Sequence, residues 1–155
     1  MSHMEIIDLH VLDLNALATT CQKLGLVVEQ DRSDWRWFGS WMNDYHAQEA
    51  AYRHGIKPDE YGKCADHVIT LPGDDQAFEI GVVRCRDGRP GWMLCYDNWS
   101  GGRGMTAKIG ENAAKLKQYY AVVAAYNYHL SVGEPARLQT DEVTGNLQCV
   151  AEVTI

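Results

Sequence analysis

Basic residues are in short supply. Fourteen Lys and Arg stand against 21 Asp and Glu, a formal net charge of −7. Contacts to a phosphate backbone need clustered Lys and Arg, so a nucleic-acid binder is not expected. The densest basic group, Arg84, Arg86 and Arg89, reads as a solvated hairpin. Long apolar runs are missing too. No stretch reaches the roughly 18 apolar residues that a membrane-spanning helix needs, so no membrane partner is expected. The opening MSHMEIIDLH has neither a basic start nor an apolar run and predicts no signal peptide. The five cysteines are odd in number and scattered, with no C-x-x-C among them. That pattern excludes a disulfide framework and fits a reduced, cytoplasmic chain with buried thiols. Internal repeats and low-complexity segments are absent.

What is present is a globular composition. Of 155 residues, 46% are apolar and 23% charged, enough for one domain with a core that needs no metal or disulfide. Residues 5–11 alternate, with Ile7, Leu9 and Val11 on one face, as in a half-buried strand. Asp13 can cap a helix through Leu14, Leu17, Cys21 and Leu24, which Gly25 ends. Residues 26–29 form a second strand. Residues 65–71, 77–85 and 92–96, separated by the turns PGDD and RDGRPG, predict antiparallel hairpins. Residues 106–131 read as one long helix. Its apolar stripe is Ile109, Ala113, Leu116, Tyr120, Val123 and Leu130, with Asn127 in the remaining place, and Gly133 and Pro135 stop it. Residues 136–140 and 146–155 close as a hairpin in which Leu147, Cys149, Ala151, Val153 and Ile155 share a face.

The order β-α-β, insertion, β-β-β, α, β-β predicts an α+β domain. Its antiparallel sheet carries two main helices on one face, with a ferredoxin-like flavour. The insertion, residues 31–63, holds three of the five tryptophans. Residues 42–54 within it can form a helix that ends at Gly55, before the break at Pro58.

Several groups of side chains invite a chemical reading. The stretch YDNWSGGRG, residues 96–104, joins a strand to a helix through three glycines. A turn of this kind can present backbone N–H groups to an anion, with Arg103 and Lys108 adding charge. It can equally be a joint whose glycines permit positive φ. It matches neither G-x-x-x-x-G-K-[ST] nor G-x-G-x-x-G, and no G-x-S-x-G is present. Asp97 beside Trp99 could hold a base or a cation, or form an Asx turn with Trp99 closing the core edge. Trp35, Trp37 and Trp41, with Phe38 and Tyr45, have the density of interface anchors. Their structural alternative is a local core under the insertion. His46, His54, Cys64 and His67 are too irregularly spaced for a zinc site, so no metal and no cofactor is expected. His129-Leu-Ser131 is half of a two-histidine phosphoesterase motif without its second copy. His129 therefore reads as a helix-end residue.

Several features together resemble the domain of unknown function 1257 family, which includes the chloroplast open reading frame 35 proteins. They are the start MSH directly before a strand, the three-strand run ending in Asp97-Asn98-Trp99, and the glycine joint. The helix carrying Gln118-Tyr119-Tyr120 and a closing hairpin over an acidic glycine turn complete the set. The resemblance covers residues 1–29 and 64–155. It implies a bacterial, plastid or phage origin and an AAA-type ATPase as partner. Where the family pattern implies a His after the paired tyrosines, this chain has Val122 and Val123. The expected function is a non-catalytic cytoplasmic binding or adaptor module. The alternative is a small-molecule binder that takes a nucleotide or phosphate at the glycine-rich joint. The edges of an antiparallel sheet leave a homodimer open.

Overall fold

A computed structural model describes residues 4–38 and 54–152. The MSH start, Trp41, Tyr45, His46, Val153 and Ile155 lie outside the described residues, as does nearly all of the helix expected over 42–54.

Strand β1 (Met4–Val11) leads into helix α1 (Leu14–Lys23). The Asp13 side chain accepts the Ala16 N–H, and Gly25 follows the helix at φ 78°. Strands β2 (Val27–Gln30), β3 (His67–Thr70), β4 (Ile80–Arg84) and β5 (Trp92–Asp97) follow. All four ladders are antiparallel and the order is β1-β5-β4-β3-β2. The opening β-α-β unit is therefore split across the whole sheet, with β1 and β2 at opposite edges and three strands between them. The fold is the α+β class read from the sequence.

The long helix expected over 106–131 is two helices, α2 (Met105–Ile109) and α3 (Ala114–Ser131). Gly110 (φ 87°, ψ 162°) leaves helical space, and Asn112 and Ala113 are left-handed. The apolar spacing survives the break because Ile109, Ala113, Leu116, Tyr120 and Val123 all still reach one core. Leu130 does not: it is 49% exposed, because the last turn of α3 runs past the core. The closing strands β6 (Ala136–Thr140) and β7 (Leu147–Ala151) pair only with each other and pack on α3.

Both faces of the main sheet are buried. Ile7, Val11, Ile69, Ile80, Val82, Leu94 and Tyr96 meet the helices. Met4, Val68, Val83, Met93 and Cys95 point the other way, onto Trp35, Trp37, Ile56 and Tyr61. Two-sided burial explains why β4 reads as a nearly unbroken apolar run instead of alternating. Gly81, within it, is the exception with a purpose. A Cβ there would lie 2.7 Å from two atoms of the Trp35 ring, so the missing side chain is the slot the indole fills. Gly62 makes the matching room for Trp37, which meets Tyr61 edge to face at 5.5 Å.

Candidate functional site

The C-terminal end of β5 gathers three of the sequence-derived candidates. Asp97 ends the strand and is fully buried. Its Oδ1 accepts the Trp99 N–H at 3.0 Å, the Asx turn that the sequence allowed, and its Oδ2 accepts the Phe38 N–H at 3.0 Å. One carboxylate thus ties the inserted segment to the joint after β5. A buried acid is costly unless hydrogen-bonded, and these two donors answer that cost.

The joint itself is a left-handed turn. Ser100, Gly101, Gly102 and Arg103 have φ between 53° and 64°, and Gly104 follows at 113°. Glycines suit such φ values, whereas each non-glycine residue there costs roughly 1–2 kcal/mol. Ser100 and Arg103 are therefore strained. The turn is also locked. The Gly102 carbonyl accepts the Phe78 N–H at 2.9 Å, and the Met105 N–H donates to the Gly101 and Gly102 carbonyls. A Cβ at Gly102 would approach Met105 Cβ to 3.1 Å, so the backbone packs where a side chain would stand.

An aromatic ledge sits on this turn. Phe38 and Trp99 meet edge to face at 4.9 Å. The Arg103 guanidinium lies 5.7 Å from the Phe78 ring and 5.8 Å from the Trp99 ring, within cation–π range. Arg103 is exposed, Phe38 and Trp99 are half-buried, and Phe78 is buried. Lys108 is not part of the ledge. Its Nζ lies 3.9 Å from where a Gly25 Cβ would be, next to the end of α1. The two cations paired with the glycine turn in the sequence reading therefore have different neighbours.

Trp35 and Trp37 require a correction as interface anchors. They are 2% and 3% exposed and form the core of the second sheet face. These two tryptophans belong to a second core that roofs the sheet, not to an outward patch. The indole Nε1 of Trp35 is buried without a hydrogen-bond partner among the described residues.

A second polar centre escaped the sequence reading. Glu79 is 4% exposed and stands just before β4. It accepts both terminal nitrogens of Arg32, at 2.7 and 3.0 Å, and the Arg36 N–H at 2.8 Å. Arg36 donates in turn to the Ala77 carbonyl, and Arg32 also reaches Glu29. Burial works against the Arg32 charge, but its hydrogen bonds to Glu79 and Glu29 outweigh it and raise its pKa. The signal was available: an acid set in the apolar run AFEIGVV demands a cation from elsewhere. What the sequence lacks is any mark that Arg32 supplies it.

Of the residues grouped by metal-ligand type, His46 lies outside the described residues and the others have separate neighbours. His67 Nδ1 accepts the Asp31 N–H, and its ring lies 6.0 Å from Trp92. Cys64 packs at the margin of the second core. Among the described residues no three His, Cys, Asp or Glu side chains converge on a metal-sized site. Burial pushes the Cys21 thiol up to about 12 and the Cys64 thiol up to about 11, and lifts Cys95 well above the ordinary value. No helix of the described residues is long and apolar enough to cross a membrane. No protein-family model, no curated protein and no solved structure matches this chain.

Proposed function

We propose that the chain is a cytoplasmic, non-catalytic binding module. It docks a protein partner on the ledge of Phe38, Trp99 and Arg103, and the family resemblance makes that partner an AAA-type ATPase. The observation that carries the reading is the ledge itself: two half-buried rings and a stacked guanidinium on a strained, locked turn. Trp and Arg are the residue types most enriched among binding hot spots. A backbone held by Asp97 and by the Gly102 carbonyl costs little further ordering when a partner binds. Strain kept at Ser100 and Arg103 is of the kind that surrounding structure maintains at working sites.

The test is affinity capture from host lysate with the full chain as bait, wild type against Arg103→Ala. The expected result is an ATPase retained by wild type and reduced at least tenfold by Arg103→Ala, with an unchanged melting temperature. Equal capture by both baits, or no ATPase at all, refutes the reading. If no protein is captured but Arg103→Ala abolishes binding of ATP or inorganic phosphate, the chain is the alternative, an anion-binding protein.

A further inference from the structure

Among the described residues, helix α3 has one long side that nothing covers. Leu116, Tyr119, Tyr120 and Val123 are its buried residues. Elsewhere on its circumference Ala121, Ala125 and Tyr128 are exposed, and Val132 at the C-cap continues the row. Steps of four, three and four residues hold these side chains within an arc of about 60°. Tyr128 is 64% exposed and Val132 50%. Asp, Glu, Lys and Arg are absent from residues 118–133, although the solvent face of a surface helix normally carries charge.

We propose that this side of α3 is a contact surface for a second copy of the chain, packed antiparallel about a two-fold axis at Ala125. The size pattern along the row is self-complementary in that orientation. Ala121 lies on the N-terminal side of Ala125, and Tyr128 and Val132 lie on the C-terminal side. In an antiparallel pair, position 128 of one copy falls beside positions 121 and 122 of the other. Each Tyr128 ring then lies over an alanine instead of over its own equivalent. A parallel pair would stack tyrosine on tyrosine and leave the alanines with a gap between them.

Charge agrees with the same register. Lys117 sits one turn before Ala121 and falls opposite residues 133–134 of the other copy, where the Glu134 carboxylate already meets His129 Nδ1 through Oε2 but stays 59% exposed, so it can bridge to a second cation. The two-fold axis makes every such contact twice. A chain of net charge −7 repels its own copies, and an uncharged strip is where that repulsion is weakest. The row offers on the order of 400 Å² per copy, enough to mark an interaction surface. That is about half of the ~800 Å² per partner of a standard stable interface. The pair is therefore a weak, reversible one.

Sedimentation equilibrium of the full chain from about 5 to 500 µM, the range in which weak self-association shows, tests this. Wild type should pass from monomer to dimer. Tyr128→Glu should weaken the dimer at least tenfold while its circular-dichroism melt stays that of wild type. In a glutathione redox buffer, Ala125→Cys should give a reducible covalent dimer and Ala114→Cys should not, because only position 125 meets itself. Three results overturn the proposal: wild type monomeric throughout, a dimer unaffected by Tyr128→Glu, or equal crosslinking at positions 114 and 125. The first would assign the row to a different partner. None of these residues belongs to the Phe38–Trp99–Arg103 ledge, so the two readings stand or fall separately.

Discussion

Gly81→Ala isolates the packing that holds the second face of the sheet. The new Cβ would sit 2.7 Å from Trp35 Cδ2 and Cε3 and 2.9 Å from Cε2. Carbon atoms pack favourably at about 3.5–4.0 Å, so the ring must retreat by about 1 Å. It has little room to do so. Trp35 is 2% exposed, and its backbone N–H donates to the Gly62 carbonyl at 3.0 Å. Overpacking of this kind costs about 3 kcal/mol, the upper end of the usual range, because three ring atoms are struck at once. Replacing glycine within a strand returns about 0.5–1 kcal/mol of backbone entropy. The net loss is about 2 kcal/mol, or roughly 6 °C in melting temperature for a domain of this size. Guanidinium unfolding followed by circular dichroism measures it without relying on tryptophan emission. The sharper readout is the double-mutant cycle. In a Trp35→Leu background the same Gly81→Ala change should be neutral or slightly stabilising, giving a coupling of about 2 kcal/mol. If Gly81→Ala costs the same in both backgrounds, the indole is not the reason for the glycine and the account of the second core fails.

Other consequences follow from individual groups. Ser100→Gly should raise stability by about 0.5–1 kcal/mol, the left-handed penalty of serine less the chain entropy of glycine, and an unchanged denaturant midpoint would show that the turn is unstrained. Glu79→Gln leaves Arg32 facing an amide instead of a carboxylate and should cost about 2–3 kcal/mol, less than a fully buried pair because Arg32 is 26% exposed; a loss below about 0.5 kcal/mol would mean that water replaces the pair without penalty. Cys21 ionises near 9 when unfolded and at about 12 when folded. Stability from this group is therefore complete below pH 9 and declines by about 1.4 kcal/mol per pH unit between 9 and 12. The raised thiols of Cys64 and Cys95 add declines of the same sign, so in urea melts between pH 8 and 10.5 Cys21→Ala should make the fall shallower without abolishing it, while lowering stability at pH 7; identical slopes would remove Cys21 as a contributor.

The sequence carried most of the helix-side half of this fold. Strand alternation in β1, the Asp13 cap, the Gly25 stop and the hairpin turns are local signals, and each depends on residues a few positions apart. The long helix failed at one point because its apolar spacing continues unbroken through Gly110, Asn112 and Ala113. A left-handed alanine leaves no trace in a hydrophobic pattern. The second face of the sheet was legible only in fragments. Dense tryptophan at 35 and 37, a mid-strand glycine at 81 and an acid at 79 were each visible. Their meaning lies in pairings across more than 40 residues: Trp35 on Gly81, and Arg32 and Arg36 on Glu79. Asp97 is intermediate. The turn to Trp99 could be read from a two-residue spacing, whereas the bond to the Phe38 N–H could not.

This division bears on where the molecule can act. With helices on one face and the tryptophan layer on the other, the main sheet has no free face to offer. Among the described residues, contact surfaces are confined to strand ends, sheet edges and the outer sides of the covering layers. The two proposed surfaces are of those kinds, the ledge beyond β5 and the outer row of α3. They differ in construction. The ledge is rigid, aromatic and cationic, set on strained backbone, and suits one partner held in one orientation. The α3 row is flat, uncharged and made of small steps, and suits a symmetric and weaker association. A dimer through α3 would present two copies of the ledge. Their combined hold on an oligomeric partner would exceed that of one copy through effective concentration, provided that the spacing of the partner's sites matches. Binding of wild type and of Tyr128→Glu to the same oligomeric partner separates the cases. A loss of affinity in Tyr128→Glu with the ledge intact means that dimerisation serves binding, and equal affinity means that each ledge acts alone.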